Sequence, residues 1–178
     1  ELLAQLIREG DWHQVLVFTR MKHGANRLAE YLTKEGIPAM AIHGNKSQNA
    51  RQAALKGFSS GQVRILVATD IAARGIDVPD ITHVINYELP DDMEVYTHRS
   101  GRTARAGKSG ICISICHVKE IYKIRQLEKI INASFHKLDI PSGKDVCRRQ
   151  FFHFMDKLIQ ADISHGDYET YLPDLMDK

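Results

Sequence analysis

Val63-Arg64-Ile65-Leu66-Val67-Ala68-Thr69-Asp70-Ile71-Ala72-Ala73-Arg74-Gly75 is the stretch that decides the fold. Val63–Ala68 is apolar except for Arg64, the pattern of a strand covered on both faces. It runs straight into a short helical segment that closes at Gly75. The same alternation extends in both directions along the chain. Upstream, Gln14-Val15-Leu16-Val17-Phe18-Thr19 is a second β-rich run. A helical stretch follows it, with Leu28, Ala29, Tyr31 and Leu32 as its apolar stripe and Gly36 as its stop. Pro38–His43 reads as a short strand. Ser47 then suits the N-cap of a helix reaching Phe58, with Ala50, Ala53, Ala54 and Phe58 facing inward. Downstream, Thr82–Asn86 and Gly110–Cys116 read as strands, separated by a helix starting near Asp91 or Asp92. Lys119–Ala133 reads as an amphipathic helix with Ile121, Ile124, Leu127 and Ile131 on one stripe and Ile130 widening it. Repeated β-α units of this kind predict an α/β fold, a parallel sheet with helices on both faces. Ligands in such folds bind beyond the carboxyl ends of the strands.

Across 178 residues, 43% hydrophobic and 26% charged side chains exclude a disordered or collagen-like chain. No apolar run approaches the ~18 residues that span a bilayer, and no signal peptide opens the sequence. The chain starts with Glu1 rather than Met and is expected to be a fragment of a longer protein. Twenty-four Lys and Arg against 22 Asp and Glu give a formal +2, too little to imply a nucleic-acid partner by itself. Cys112 and Cys116 lie on one face of a strand, ~13 Å apart, beyond the reach of a disulfide or a shared metal. Reduced thiols in a cytoplasmic protein are therefore expected. The nine histidines show no metal-ligand spacing, and no metal site is expected in this chain. Trp12, Tyr87 and Tyr96 read as packing residues.

Three clusters carry chemistry. His98-Arg99-Ser100-Gly101-Arg102-Thr103-Ala104-Arg105 places three arginines in seven positions, and the guanidinium fork suits phosphate oxygens. If helical geometry persists, His98, Arg102 and Arg105 share a face at i, i+4 and i+7. In Thr69–Asp77, a buried strand ends at Thr69, so its hydroxyl and the following amides emerge at the ligand edge. Asp77 could accept from a ribose hydroxyl, although Asp70 alone also reads as a helix N-cap and Asp77 as a turn residue. In His43–Arg51, Gly44 lets the backbone approach a phosphate, and Gln48 and Arg51 project from the first turn of a capped helix.

Together these clusters resemble motifs of the C-terminal RecA-like domain of DEAD-box ATP-dependent RNA helicases. Phe18-Thr19 resembles motif IV, Ser47–Arg51 the Gln-x-x-Arg motif, Thr69–Asp77 motif V and His98–Arg105 motif VI. The resemblance runs from about Gln14 to Ile140, and the tail is most similar to bacterial cold-shock (DeaD/CsdA-type) members, with RhlE-type proteins also near. It implies that Arg102 and Arg105 are arginine fingers at the γ-phosphate of ATP, that Asp77 binds the ribose, and that Gly75 lies close to the nucleotide. It implies that Gly44, Arg51 and Thr69 hold the RNA backbone. Gln48 and Arg74 would support that surface and the interdomain contact, and His98 would link nucleotide state to RNA state. The sequence departs from the family at Met21, where a Thr is common, and at Asn45, Ser100 and Ala104.

No Gly-x-x-x-x-Gly-Lys-Thr/Ser loop and no Asp-Glu-Ala-Asp occurs in the sequence. The phosphate loop and the Mg2+ carboxylate that phosphoryl transfer requires are therefore expected on an N-terminal RecA-like domain of the same protein. This chain, residues 1–142 above all, reads as the half that completes the ATP site, and is expected to be inactive alone. Two other readings stay open. One is a non-enzymatic RNA- or protein-binding module on a RecA-like fold, and the other is a DNA-acting superfamily-2 helicase domain. After Pro141-Ser142-Gly143 a separate helical pattern begins. Phe151, Phe154, Met155 and Leu158 repeat at helical spacing, and Phe152, Ile159, Tyr168, Tyr171 and Leu172 add apolar surface. Residues 143–178 must dock on the domain or meet another copy. The family resemblance favours a homodimer through 144–178.

Overall fold

The computed structural model describes residues 1–74, 76, 78, 81–104, 107 and 109–140, together with 144, 147, 148, 151, 152 and 155. The chain divides into two compact units, 1–136 and 137–178. In the first, five short parallel strands form one sheet: β1 (Val15–Phe18), β2 (Ala39–Ile42), β3 (Ile65–Ala68), β4 (His83–Asn86) and β5 (Ile111–Ser114). Their order is β2-β3-β1-β4-β5. β1 is thus central, and Phe18 at its end is flanked by Ala68 of β3 and Asn86 of β4. The expected α/β fold with a parallel sheet is present.

Six helices accompany the strands among the described residues: α1 (Leu2–Glu9), α2 (Lys22–Lys34), α3 (Gln48–Ser59), α4 (Asp70–Ala73), α5 (Met93–Ser100) and α6 (Ile121–Ile131). Alternation along β1 explains the two-layer cover. Val15 and Val17 pack with Leu3, Ala4 and Ile7 of α1 and Leu28 and Leu32 of α2. Leu16 and Phe18 pack on the other face with Ala54 and Phe58 of α3 and Ala72 and Ala73 of α4. A third cluster joins Leu89, Tyr96 of α5 and Leu127 of α6. Ser47 caps α3 as expected, its Oγ accepting from Ala50 N at 3.2 Å. Asp92, rather than Asp91, caps α5 through Glu94 N at 2.9 Å.

Several local expectations need correction. Residues before Gly10 form α1, whose Leu3, Ala4 and Ile7 are buried at i, i+1 and i+4. In α3 the inward face is Ala54, Gly57 and Phe58, while Ala53 is exposed and Ala50 only half-buried. A Cβ on Gly57 would come within 3.0 Å of Val63 Cγ2, so this helix needs the missing side chain to approach the chain entering β3. In α6, Leu127 is buried but Ile121 and Ile130 are 41% and 59% exposed, so the apolar stripe is narrower than its sequence pattern. The three cysteines are free thiols; Cys112 and Cys116 are half-buried and Cys147 is exposed. Burial raises the pKa of Cys112 and Cys116, which favours the unreactive thiol form. Trp12 stacks on His83 with ring centroids 4.4 Å apart, the covering role its sequence context suggested. Among the described residues, no helix is long and apolar enough to cross a membrane.

Candidate functional site

The ends of β1, β3 and β4 are tied together by one side chain. Arg99, on the last turn of α5, is 1% exposed. Its Nε and Nη2 donate to Asp70 Oδ1 and Oδ2 at 2.6 and 2.8 Å, a bidentate fork onto the first residue of α4. Its Nη1 donates to Asn86 Oδ1 at 2.9 Å and to the Glu88 carbonyl at 2.8 Å. The guanidinium also lies 5.0 Å from the centroid of the Phe18 ring. Two sequence readings change as a result. Asp70 is not the N-cap of α4, a position held by Thr69, but the counter-ion of Arg99. Arg99 does not join an anion site, because its charge is already met inside the protein.

Around this bridge lies a small crevice of about 30 Å3, lined by Asp70, Arg74, His98, Arg99 and Arg102 among others. The structure therefore brings together Arg74, His98 and Arg102, three residues singled out from sequence. It does so by a different route from the one expected. α5 ends at Ser100, Gly101 follows as its C-cap, and Arg102 sits in a turn with its N–H on the Arg99 carbonyl at 3.1 Å. His98 and Arg102 therefore do not share the expected helical face. Arg102 is half-buried, and its Nη1 donates to the Ile76 carbonyl at 3.1 Å, linking motif VI to motif V. A Cβ on Gly110 would fall on Thr103 Oγ1 and Ala104 N, so glycine is required where this turn meets the start of β5. Gly75, Asp77 and Arg105 lie outside the described residues.

A second group gathers at the ends of β2 and β3. Thr69, 9% exposed, donates its N–H to the Ile42 carbonyl at 3.3 Å, which places it beside the end of β2. Gly44 is exposed in the turn that follows, with Gln48 exposed and Arg51 half-buried on the first turn of α3. Sequence reasoning missed what organises this turn. His43 is buried, its Nε2 lies 3.0 Å from Asn26 Oδ1, and its Nδ1 accepts from Asn45 N at 3.3 Å. That pattern requires the neutral Nε2–H tautomer. Burial lowers the His43 pKa, and nearby Lys46, Lys22 and His23 lower it further, so the ring stays neutral within a positive field. The only sequence signal was a histidine at a strand end before Gly44. Met21 occupies the N-cap of α2 without capping it and is 67% exposed. The two groups adjoin at the end of β3, where Thr69 and Asp70 are consecutive, and spread in opposite directions along the sheet, one toward β2 and the other toward β1 and β4. Among the described residues, no three His, Cys, Asp or Glu side chains converge on a metal position.

This geometry can be compared with known proteins. The sequence profile described as "Helicase conserved C-terminal domain" matches residues 1–107. A second, described as "Probable ATP-dependent RNA helicase, helical domain", matches 146–178. The ATP-dependent RNA helicase CshA of Listeria monocytogenes is 34% identical over 180 residues, covering 100% of this chain and 35% of CshA. Among solved structures, Escherichia coli SrmB bound to the regulator RraA is similar at a TM-score of 0.71 and 35% identity, covering 79% of this chain and 88% of that one. Saccharomyces cerevisiae Dbp5 bound to RNA and ADP BeF3 is similar at a TM-score of 0.66 and 32% identity, covering 72% of this chain and 34% of Dbp5. The chain spans between about a fifth and a third of the length of the curated relatives it matches. A parallel sheet of this order, ending in these motifs and matched over most of its residues, is RecA-like, and the chain belongs to the helicase conserved C-terminal domain family, as the C-terminal domain of a DEAD-box protein.

Proposed function

We propose that this domain completes the ATP site of a two-domain RNA helicase and grips the RNA backbone as the domains close. The observation that carries the reading is the crevice in which Arg74, His98 and Arg102 converge around the Arg99–Asp70 bridge. A cationic, partly exposed donor set at strand carboxyl ends suits a polyphosphate. Arg102 and Arg105 then act as fingers on the γ-phosphate, Asp77 takes the ribose, and Gly75 lets the backbone approach the nucleotide. Mg2+ is held by the preceding N-terminal domain, which supplies the phosphate loop. Gly44, Arg51 and Thr69 hold RNA phosphates and 2′-hydroxyls, in the positive field of Lys22 and Lys46. Arg74 and His98, which share the crevice with Arg102, couple the two ligand states, with Gln48 supporting the RNA surface.

Arg51→Ala and Thr69→Val are expected to weaken RNA binding without changing sequence preference, because backbone contacts carry no base information. Arg51→Ala should also make the salt dependence shallower by roughly one phosphate's worth of counterion release. Fluorescence anisotropy at several salt concentrations measures both. A changed sequence preference with an unchanged salt slope would move Arg51 from the backbone to a base edge.

The bacterial cold-shock subgroup is the proposed place of the protein within its family, supported by the CshA match extending over the tail. Free thiols fit a cytoplasmic location. Residues 144–178 are proposed to mediate self-association. Phe151, Phe152 and Met155 are exposed there, and Phe154, Leu158, Ile159, Tyr168, Tyr171 and Leu172 fall outside the described residues. Sedimentation of the chain beside a version ending at Ser142 should show a dimer only for the longer one. Monomers in both would end the dimer proposal.

A further inference from the structure

The outer face of α6 carries cations that no carboxylate among the described residues neutralises. The helix buries Leu127, with Ile124 and Ile131 packed beside it against Leu89 and Tyr96. At 100° per residue, the direction opposite Leu127 is occupied by Tyr122, Arg125 and Lys129, at i, i+3 and i+7. All three are exposed, Tyr122 by 57%, and exposed Lys119 precedes them in the turn Val118–Glu120. The acids of this segment are engaged elsewhere. Glu120 pairs with Arg20 at 3.4 Å and Lys123 at 3.6 Å, and Glu128 Oε1 accepts from Phe135 N at 2.9 Å. Asp91 likewise holds Arg20 and Lys123. Among the described residues, Lys119, Arg125 and Lys129 have no carboxylate partner.

We propose that this stripe is an auxiliary RNA contact, taking a stretch of single strand outside the grip of Gly44, Arg51 and Thr69. Charge complementarity selects an anionic partner, and the arrangement selects RNA over an acidic protein. An amphipathic protein helix would need apolar anchors along its line of contact. Here Ile121 and Ile130 stand roughly 70–110° off the line, which instead holds an aromatic ring, a guanidinium fork and an ammonium. A ring offers a stacking face to any base, and the cations meet phosphates. Tyr122 to Lys129 covers roughly 10 Å, the reach of a few nucleotides. The stripe sits on a helix tied through Glu120 and Lys123 to Arg20 after β1 and Asp91 after β4, whereas the grip lies at the ends of β2 and β3. Short RNA that fills the grip at β2 and β3 leaves no strand over for the stripe, whereas longer RNA does.

The proposal rests on the RNA-binding reading of the domain, and RNA length separates the two. Binding of the 178-residue chain to single-stranded RNAs of about 6 and about 20 nucleotides is measured by anisotropy at several salt concentrations. Lys119→Gln/Arg125→Gln/Lys129→Gln should weaken binding of the long RNA by about tenfold or more and make its salt slope shallower by roughly two units. Tyr122→Ala should weaken it about fivefold or more through lost stacking. Neither should alter binding of the short RNA, which Arg51→Ala does weaken. These positions are exposed, and circular dichroism confirms that each variant is folded. If Arg51→Ala weakens both RNAs while the α6 variants bind like the wild type, the auxiliary contact is wrong and the main RNA reading stands. If no variant changes RNA binding, both fail. Normal RNA binding by the α6 variants, together with lost binding of a Glu-rich helical peptide by those variants, would reassign the stripe to an acidic protein.

Discussion

Asp70→Ala is expected to lower the stability of the 1–136 unit by about 3 kcal/mol, near the lower end of the range for breaking a buried ion pair. Arg99 is 1% exposed, so removing Asp70 strands a buried guanidinium with two of its N–H directions unmet. The carboxylate of Asp70 is itself 34% exposed, and water reaching that side tempers the loss. The double variant Asp70→Ala/Arg99→Met should recover much of it, because an apolar chain of similar length removes the stranded charge. It will still leave Asn86 Oδ1 and the Glu88 carbonyl without their donor. Urea midpoints of the wild type, single and double variants measure the cycle. A single-variant shift within about 0.5 kcal/mol, the scale of a surface substitution, would show that the bridge does not hold the strand ends together.

That bridge also marks where the sequence could and could not be read. The fully buried strands β1 and β3 announce themselves by unbroken apolar runs, and all five strands were found to within one or two residues at each end. The helices α2 and α3 carry stripes and stop signals strong enough to be seen locally. α1 was missed because its eight residues bury only Leu3, Ala4 and Ile7, too short a pattern beside the strand-like run that follows. The motif residues were legible as a list, and Arg74, His98 and Arg102 do meet. Their pairing was not legible. Whether an arginine in a dense basic run faces a ligand or an internal carboxylate depends on which strand ends lie side by side. Asp70 and Arg99 are 29 residues apart and meet because β3 and β4 flank β1. For the same reason Asn26, on α2, gave no hint that it would hold His43 at the end of β2. Gly101 ends α5 before Arg102, which turned an expected helical face into a turn that reaches back to Ile76.

The central claim is that this domain supplies the groups that act on the γ-phosphate. Arginine fingers neutralise charge that develops only in the transition state, and they contribute on the order of 10³–10⁵ in rate. In the protein with both RecA-like domains, Arg102→Ala and Arg105→Ala should each cut turnover severely while leaving nucleotide affinity nearly unchanged. Asp77→Ala should do the opposite, raising the nucleotide Kd, since a ribose contact is made equally in the ground state. Arg102 is also hydrogen-bonded to Ile76, so Arg102→Lys serves as a second variant: it keeps the charge but not the fork, and should recover little of the rate. The direct measurement is RNA-stimulated ATP turnover of the two-domain protein, with nucleotide Kd determined in parallel. The account predicts a fall of about 10³-fold or more in kcat for Arg102→Ala at nearly constant Kd. Turnover within a few-fold of the wild type, or a loss that lies wholly in Kd, would contradict it.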